Sequence, residues 1–92
     1  MDRLTSSEIA QMLESVISKM ISKPDEMKVS FNDPDEQGVL FILKVAREDA
    51  GSVIGKSGKI AESLRVILRS ISSRNDIRSS LKIDVPDIKE RF

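Results

Sequence analysis

Val53-Ile54-Gly55-Lys56-Ser57-Gly58-Lys59-Ile60 is the stretch on which the fold of this chain turns. Two glycines bracket a lysine and a serine. Apolar residues precede the bracket and an amphipathic helical pattern follows it. Glycine has no Cβ, so both ends of such a loop can take tight or left-handed conformations and no side chain blocks close approach. The following helix aims its unpaired N–H groups and the positive end of its dipole at the same place. Lys56 and Lys59 add full positive charges. The combination predicts an anionic partner, and phosphate is the commonest anion held this way.

Working outward, Ile60, Leu64, Ile67, Leu68 and Ile71 form a helical core stripe after the loop, and Arg47 to Ile54 reads as a short helix before it. Gly51 weakens that short helix unless a close contact requires it. Further back, Val39-Leu40-Phe41-Ile42-Leu43-Lys44-Val45 is nearly continuously apolar, the pattern of a central strand buried on both faces. Met27, Val29 and Phe31 alternate with Lys28 and Ser30, as in a half-buried strand. Residues 32–38 between them are dense in turn formers, which predicts a hairpin. Thr5-Ser6-Ser7-Glu8 reads as a capping box, with Leu4 and Ile9 spaced as a staple. A stripe follows from Ile9 to Ile21, and Pro24 is expected to stop it. Leu81, Ile83 and Val85 alternate with Lys82 and Asp84 in a last strand, ended by Pro86. The order is helix, strand, strand, short helix, glycine loop, helix, strand. The helical crossover between the last two strands predicts that they run parallel. The fold class is α+β, a three-stranded mixed sheet with helices on one face.

Ninety-two residues make one small domain, with a core of about 8–86 and a charged tail over 87–92 expected to be loose. With 39% hydrophobic and 33% charged residues, the composition is that of a soluble globular protein. No apolar run approaches the roughly 20 residues of a membrane span, and no secretory pattern opens the chain. The absence of cysteine fits a cytoplasmic location. There is no histidine, tyrosine or tryptophan, which removes the commonest general base, the commonest metal ligand and the best stacking platforms. Catalysis, a cofactor and a metal are therefore not expected. The acidic turn at 32–38 lacks the ligand order of a calcium loop. Net charge is zero, but it is unevenly placed. Residues 1–43 carry −4, residues 44–82 carry +5 and the last ten carry −1. The positive block contains the glycine loop, as a functional basic face requires.

Three readings of the loop compete. It can be a helix–turn–helix corner that uses glycine for geometry alone. It can be a nucleotide-hydrolase phosphate loop, but Gly51 and Gly55 are separated by three residues where four are required. Or it can be the GxxG loop of a KH domain, which joins two short helices and clamps the backbone of about four unpaired nucleotides. Val53 through Ala61, with Leu64 and Arg65, resembles the KH core throughout, and the element order is similar to the type II KH fold. In size and motif, and in the run Glu48 to Lys56, the chain resembles the KhpA family of small bacterial single-KH proteins. Arg47 stands where that family usually has proline.

The resemblance implies single-stranded RNA binding without catalysis. Gly55, Lys56, Ser57 and Gly58 would meet phosphates through backbone N–H groups and the Lys56 ammonium. Lys59, Arg65 and Arg47 would form a basic flank. Val53, Ile54, Ala61 and Leu64 would floor an apolar groove for bases, with Leu64 weighted toward the core. Backbone groups around Lys82 to Asp84 would supply edge hydrogen bonds. The family further implies a cytoplasmic RNA chaperone or post-transcriptional regulator, linked to cell shape and cell wall biogenesis. It also implies homodimers, or heterodimers with a larger KH–R3H protein. Val66 lies off the core stripe between Ser63 and Ser70, so a dimer face is expected at Val66, aided by Ile67. The alternative is a KH-fold interaction module with little RNA binding.

Overall fold

The computed structural model describes residues 3–32, 35–36 and 38–86. Helix α1 (Ser6–Ile17) leads into strands β1 (Lys28–Phe31) and β2 (Val39–Lys44). Helix α2 (Ala50–Ile54), a 3₁₀ turn (Lys56–Gly58) and helix α3 (Lys59–Arg74) then lead to strand β3 (Ser79–Asp84). The sheet order is β1-β2-β3. β1 runs antiparallel to β2, and β3 runs parallel to it, with Phe41 opposite both Phe31 and Leu81. The helical crossover thus gives the parallel pair that the element order predicts.

Each boundary has a local cause. The capping box forms in full: the Glu8 N–H donates to Thr5 Oγ1 at 3.2 Å, and the Thr5 N–H donates to Glu8 Oε1 at 2.9 Å. α1 buries Ile9, Ala10, Leu13 and Ile17, one face of a 3.6-residue period. It ends well before Pro24, contrary to the sequence expectation. The backbone N–H groups of Ser22 and Lys23, which a longer helix would use internally, donate instead to the Asp49 carboxylate. Pro24 then opens a short 3₁₀ turn, where its missing N–H costs nothing.

All three helices lie on one face of the sheet, over a core that includes Ile9, Ile17, Phe41, Leu43, Val53 and Leu68. This corrects the reading of β2 as buried on both faces. Val39, Phe41 and Leu43 are buried, but Leu40 and Ile42 on the other face are half-buried and Lys44 is exposed. Ile42 has only Ser30 and Lys82 as cross-strand neighbours there. Ile67 is corrected likewise: it is 50% exposed and outside the core, while Leu64 and Leu68 face inward. The contact suggested for Gly51 is absent, since a Cβ there would meet nothing within 4 Å. The 87–92 tail and three residues of the acidic turn lie outside the described residues. Among the described residues, no group of acidic side chains could hold a metal ion and no helix is long and apolar enough to cross a membrane.

Candidate nucleic-acid interface

The corner between α2 and α3 is built from three backbone residues with positive φ. Gly55 closes α2 at φ 77°, ψ 174°, a region open essentially only to glycine. A Cβ there would also stand 2.6 Å from Ile60 Cγ1. Gly55 is thus needed for its dihedrals and for seating the first apolar residue of α3. Ser57 (φ 58°, ψ 25°) and Gly58 (φ 75°, ψ 15°) are both left-handed, and Gly58 serves as the N-cap of α3. A left-handed serine is uncommon and stores strain, a feature concentrated at binding loops.

The turn uses some of its donors internally. The Gly58 N–H donates to Gly55 O at 3.2 Å, and the Lys59 N–H donates to Lys56 O. The N–H groups of Lys56 and Ser57 come ahead of these bonds, as first-turn donors do. The expectation that Gly58 offers its N–H outward is therefore revised. Lys56, Ser57 and Lys59 are exposed at the rim.

Beside the corner lies a groove of about 640 Å³, walled by the turn and α3 on one side and by β3 on the other. Ile54, Gly55, Ser57, Gly58, Ala61 and Arg65 line it with Leu81, Lys82 and Ile83. Of the residues expected to floor it, Ile54 and Ala61 do so. Val53 is fully buried and Leu64 is 4% exposed; both belong to the core beneath, because the inward face of each helix is taken by the sheet. Lys59 and Arg47 are exposed but do not line the groove. No aromatic residue among the described residues lines it; Phe31 and Phe41 pair elsewhere, with ring centroids 5.9 Å apart.

Among the described residues, the β3 wall is an unpaired strand edge. The carbonyls of Arg78 and Asp84 accept from Val39 and Val45 on the β2 side. Backbone groups of one parity share a side in a parallel strand, so those of Ser79, Leu81 and Ile83 face outward. Leu81 O accepts from Arg65 Nε at 3.3 Å, and this bond stretches the arginine across the groove. Arg65 falls four residues after Ala61, a helical spacing that puts both on the same wall.

A buried carboxylate anchors the start of α2 to the segment after α1. Asp49, 2% exposed, accepts from the Ser22 N–H and Ser22 Oγ, both at 2.7 Å, and from the Lys23 N–H at 3.0 Å. Chiefly through the Ser22 N–H, these bonds hold its pKa below the ordinary carboxylate value despite burial. Next to it Lys23 pairs with Glu48 at 3.4 Å. The pair raises the Lys23 pKa, and the Glu48 pKa is lowered first by its own backbone N–H and then by Lys23. Sequence reasoning missed Asp49; the one available signal was an acidic residue just ahead of a short helix.

An α-β-β-α-α-β chain with a Gly-x-x-Gly corner beside an open parallel strand is a type II KH domain. The chain belongs to the KhpA/KhpB KH-domain family, whose profile matches residues 10–83. It is 37% identical over 73 residues to the RNA-binding protein KhpA of Clostridium acetobutylicum, covering 79% of this chain and 96% of the relative. It is 33% identical over 76 residues to RNA-binding protein KhpA of Chlamydia pneumoniae, with 79% and 92% covered. It is 29% identical over 73 residues to that of Listeria monocytogenes, with 79% and 95% covered. No solved structure matches.

Proposed function

We propose that the chain binds single-stranded RNA at the glycine corner and the adjoining groove, without catalysis. The observation that carries this is the left-handed Gly55–Ser57–Gly58 turn opening onto a free strand edge. The relatives named as RNA-binding proteins support it. In this reading the Lys56 and Ser57 N–H groups and the Lys56 ammonium hold phosphates, and Gly55 and Gly58 let the backbone approach. Lys59 and Arg65 supply flanking charge. Ile54 and Ala61 support the bases from the groove, while Val53 and Leu64 act from beneath by fixing its floor. The outward N–H and C=O of Ile83 would meet a base edge. Without an aromatic platform, binding is weak per domain and tolerant of sequence. That is the behaviour of an RNA chaperone or post-transcriptional regulator in the cytoplasm, and the family resemblance extends the role to cell shape and cell wall biogenesis.

Val66 and Ile67, 47% and 50% exposed on the outer side of α3, are proposed as a dimer face. The partner is a second copy or a larger KH–R3H protein, and a dimer would present two loops to one RNA and gain by avidity. The same exposed pair favours the second reading, an interaction module that has kept the fold and lost RNA binding.

A filter-binding titration with single-stranded RNA separates the two. Lys56→Asp with Ser57→Asp is expected to leave helicity and melting nearly intact and to weaken binding by about tenfold or more, since two carboxylates face the phosphates. Two to four phosphate contacts predict a slope of log K against log salt of roughly −1.5 to −3. No binding by the wild type, or equal binding by the double variant, would overturn the RNA reading. Sedimentation of wild type and Val66→Asp tests the dimer face.

A further inference from the structure

A second basin, of about 690 Å³, opens at the far end of α3, lined by Arg69, Ser73, Asp76, Ile77, Arg78 and Ser79. It lies on the same seam as the first. Arg65 and Leu81 line the first groove, and Arg69 and Ser79 line the second. Arg65 to Arg69 is one helical turn, about 6 Å along α3. Leu81 to Ser79 is two strand residues, about 6.6 Å along β3 in the opposite direction. The two basins are therefore successive stretches of one α3–β3 trough, with the Arg65–Leu81 bond as the sill between them.

Chemistry continues across the sill as well. Ser79 has the same outward backbone parity as Leu81 and Ile83. Its hydroxyl is buried with no hydrogen-bond partner among the described residues, as few such groups are. Among the described residues, Arg69 is held only by an exposed contact with Glu62 at 3.5 Å, the kind of pair that contributes little. Arg78 Nη1 donates to a single carbonyl, that of Glu36, at 3.1 Å, and two of its guanidinium nitrogens remain for another acceptor. The one acid lining the basin, Asp76, is countered by Arg3 at 2.7 Å. Arg69, Arg78 and Ile77 thus line a basin beside an open strand edge. We infer that this basin is a second RNA subsite, in which Arg69 and Arg78 take the phosphate of nucleotides that continue past Arg65 from the glycine corner. The inference rests on the RNA reading above and lengthens the footprint beyond the roughly four nucleotides of the loop clamp.

The test compares tetrauridylate with octauridylate, each titrated into wild type and into Arg69→Ala/Arg78→Ala by fluorescence anisotropy, with NMR shifts for the short oligomer. The wild type should bind the octamer about tenfold more tightly than the tetramer, the equivalent of one further charged contact. Its salt slope should steepen by about 0.7 for each added phosphate. The double variant should bind the tetramer as the wild type does and lose most of the gain for the octamer. Arg69→Ala alone, which removes only an exposed side chain, should lose part of it and guards against misfolding of the double variant. Two loops bridged by one octamer would also produce a gain, but the double variant keeps both loops. A gain that persists in it overturns the second subsite. If the wild type binds the tetramer and gains nothing with length, the second subsite alone fails. If neither oligomer binds, the RNA reading fails and the subsite with it.

Discussion

The two edges of the sheet face the same physical problem and meet it oppositely. An unpaired edge strand exposes a row of backbone donors and acceptors that invites another chain. On β1 the Val29 N–H donates to Glu14 Oε2 of α1 at 2.9 Å, so an acidic side chain closes that edge. On β3 a basic side chain, Arg65, reaches the Leu81 carbonyl at 3.3 Å, and the backbone of Ile83 beside it stays open to the groove. One edge is short and stoppered with negative charge. The other is longer and flanked by positive charge. In the proposed reading, β1 would turn a polyanion away and β3 would receive it. The uneven charge along the sequence, −4 over residues 1–43 and +5 over 44–82, is the one-dimensional trace of this arrangement.

The largest expected effect comes from the corner that aims the β3 side. Gly55→Ala forces a Cβ into a backbone region costing about 1–3 kcal/mol, and the clash with Ile60 adds to it. Denaturant unfolding should show a loss of about 2–4 kcal/mol, together with loss of RNA binding. Wild-type stability in this variant would mean that the corner adjusts freely and does not pre-form the site.

The link between the acidic and basic halves is next. Asp49 has a lowered folded-state pKa, so its contribution to stability is present above its ordinary value of 3.8. It is lost as pH falls from there through the lowered folded value. Asp49→Asn should melt lower than wild type at neutral pH, and the gap should narrow on acidification below pH 3.8. Melting curves across pH 2 to 7 check this, and a gap independent of pH would assign the effect to packing instead.

The smallest effect tests the closed edge. Glu14→Ala removes the acceptor for the Val29 N–H and should cost about 1 kcal/mol. RNA affinity at β3 should not change. Stability like that of wild type in urea would show that water serves β1 as well as Glu14 does.

How much of this could be read from the sequence follows the range of the interactions. The capping box at Thr5 and Glu8, the glycine corner and the parallel crossover are local or topological, and each appeared as read. The early stop of α1 was not legible, because Asp49, 26 and 27 residues away, takes the N–H groups of Lys23 and Ser22. The half-exposed face of β2 was hidden by its apolar run: Leu40 and Ile42 are apolar on a face that no helix among the described residues covers. Ile67 fits the helical stripe by spacing, yet it is half exposed while Leu64 and Leu68 face the core. Of the four residues expected to floor the groove, Ile54 and Ala61 line it, Val53 lies in the core instead, and Leu64 lies in the core toward which it was weighted. Periodicity says which side of a helix is apolar but not whether strand or groove lies against it. The contacts of Glu14 and Arg65 join helix to strand edge across 15 and 16 residues and have no sequence signature.

The difference between the edges can be measured in one experiment. A ¹⁵N-labelled sample titrated with short single-stranded RNA reports every backbone amide at once. The account predicts that amides of Lys56, Ser57, Leu81 and Ile83 shift progressively while those of Lys28, Val29 and Ser30 hold still. Shifts concentrated on β1, or no shifts at the glycine corner under saturating RNA, would contradict it.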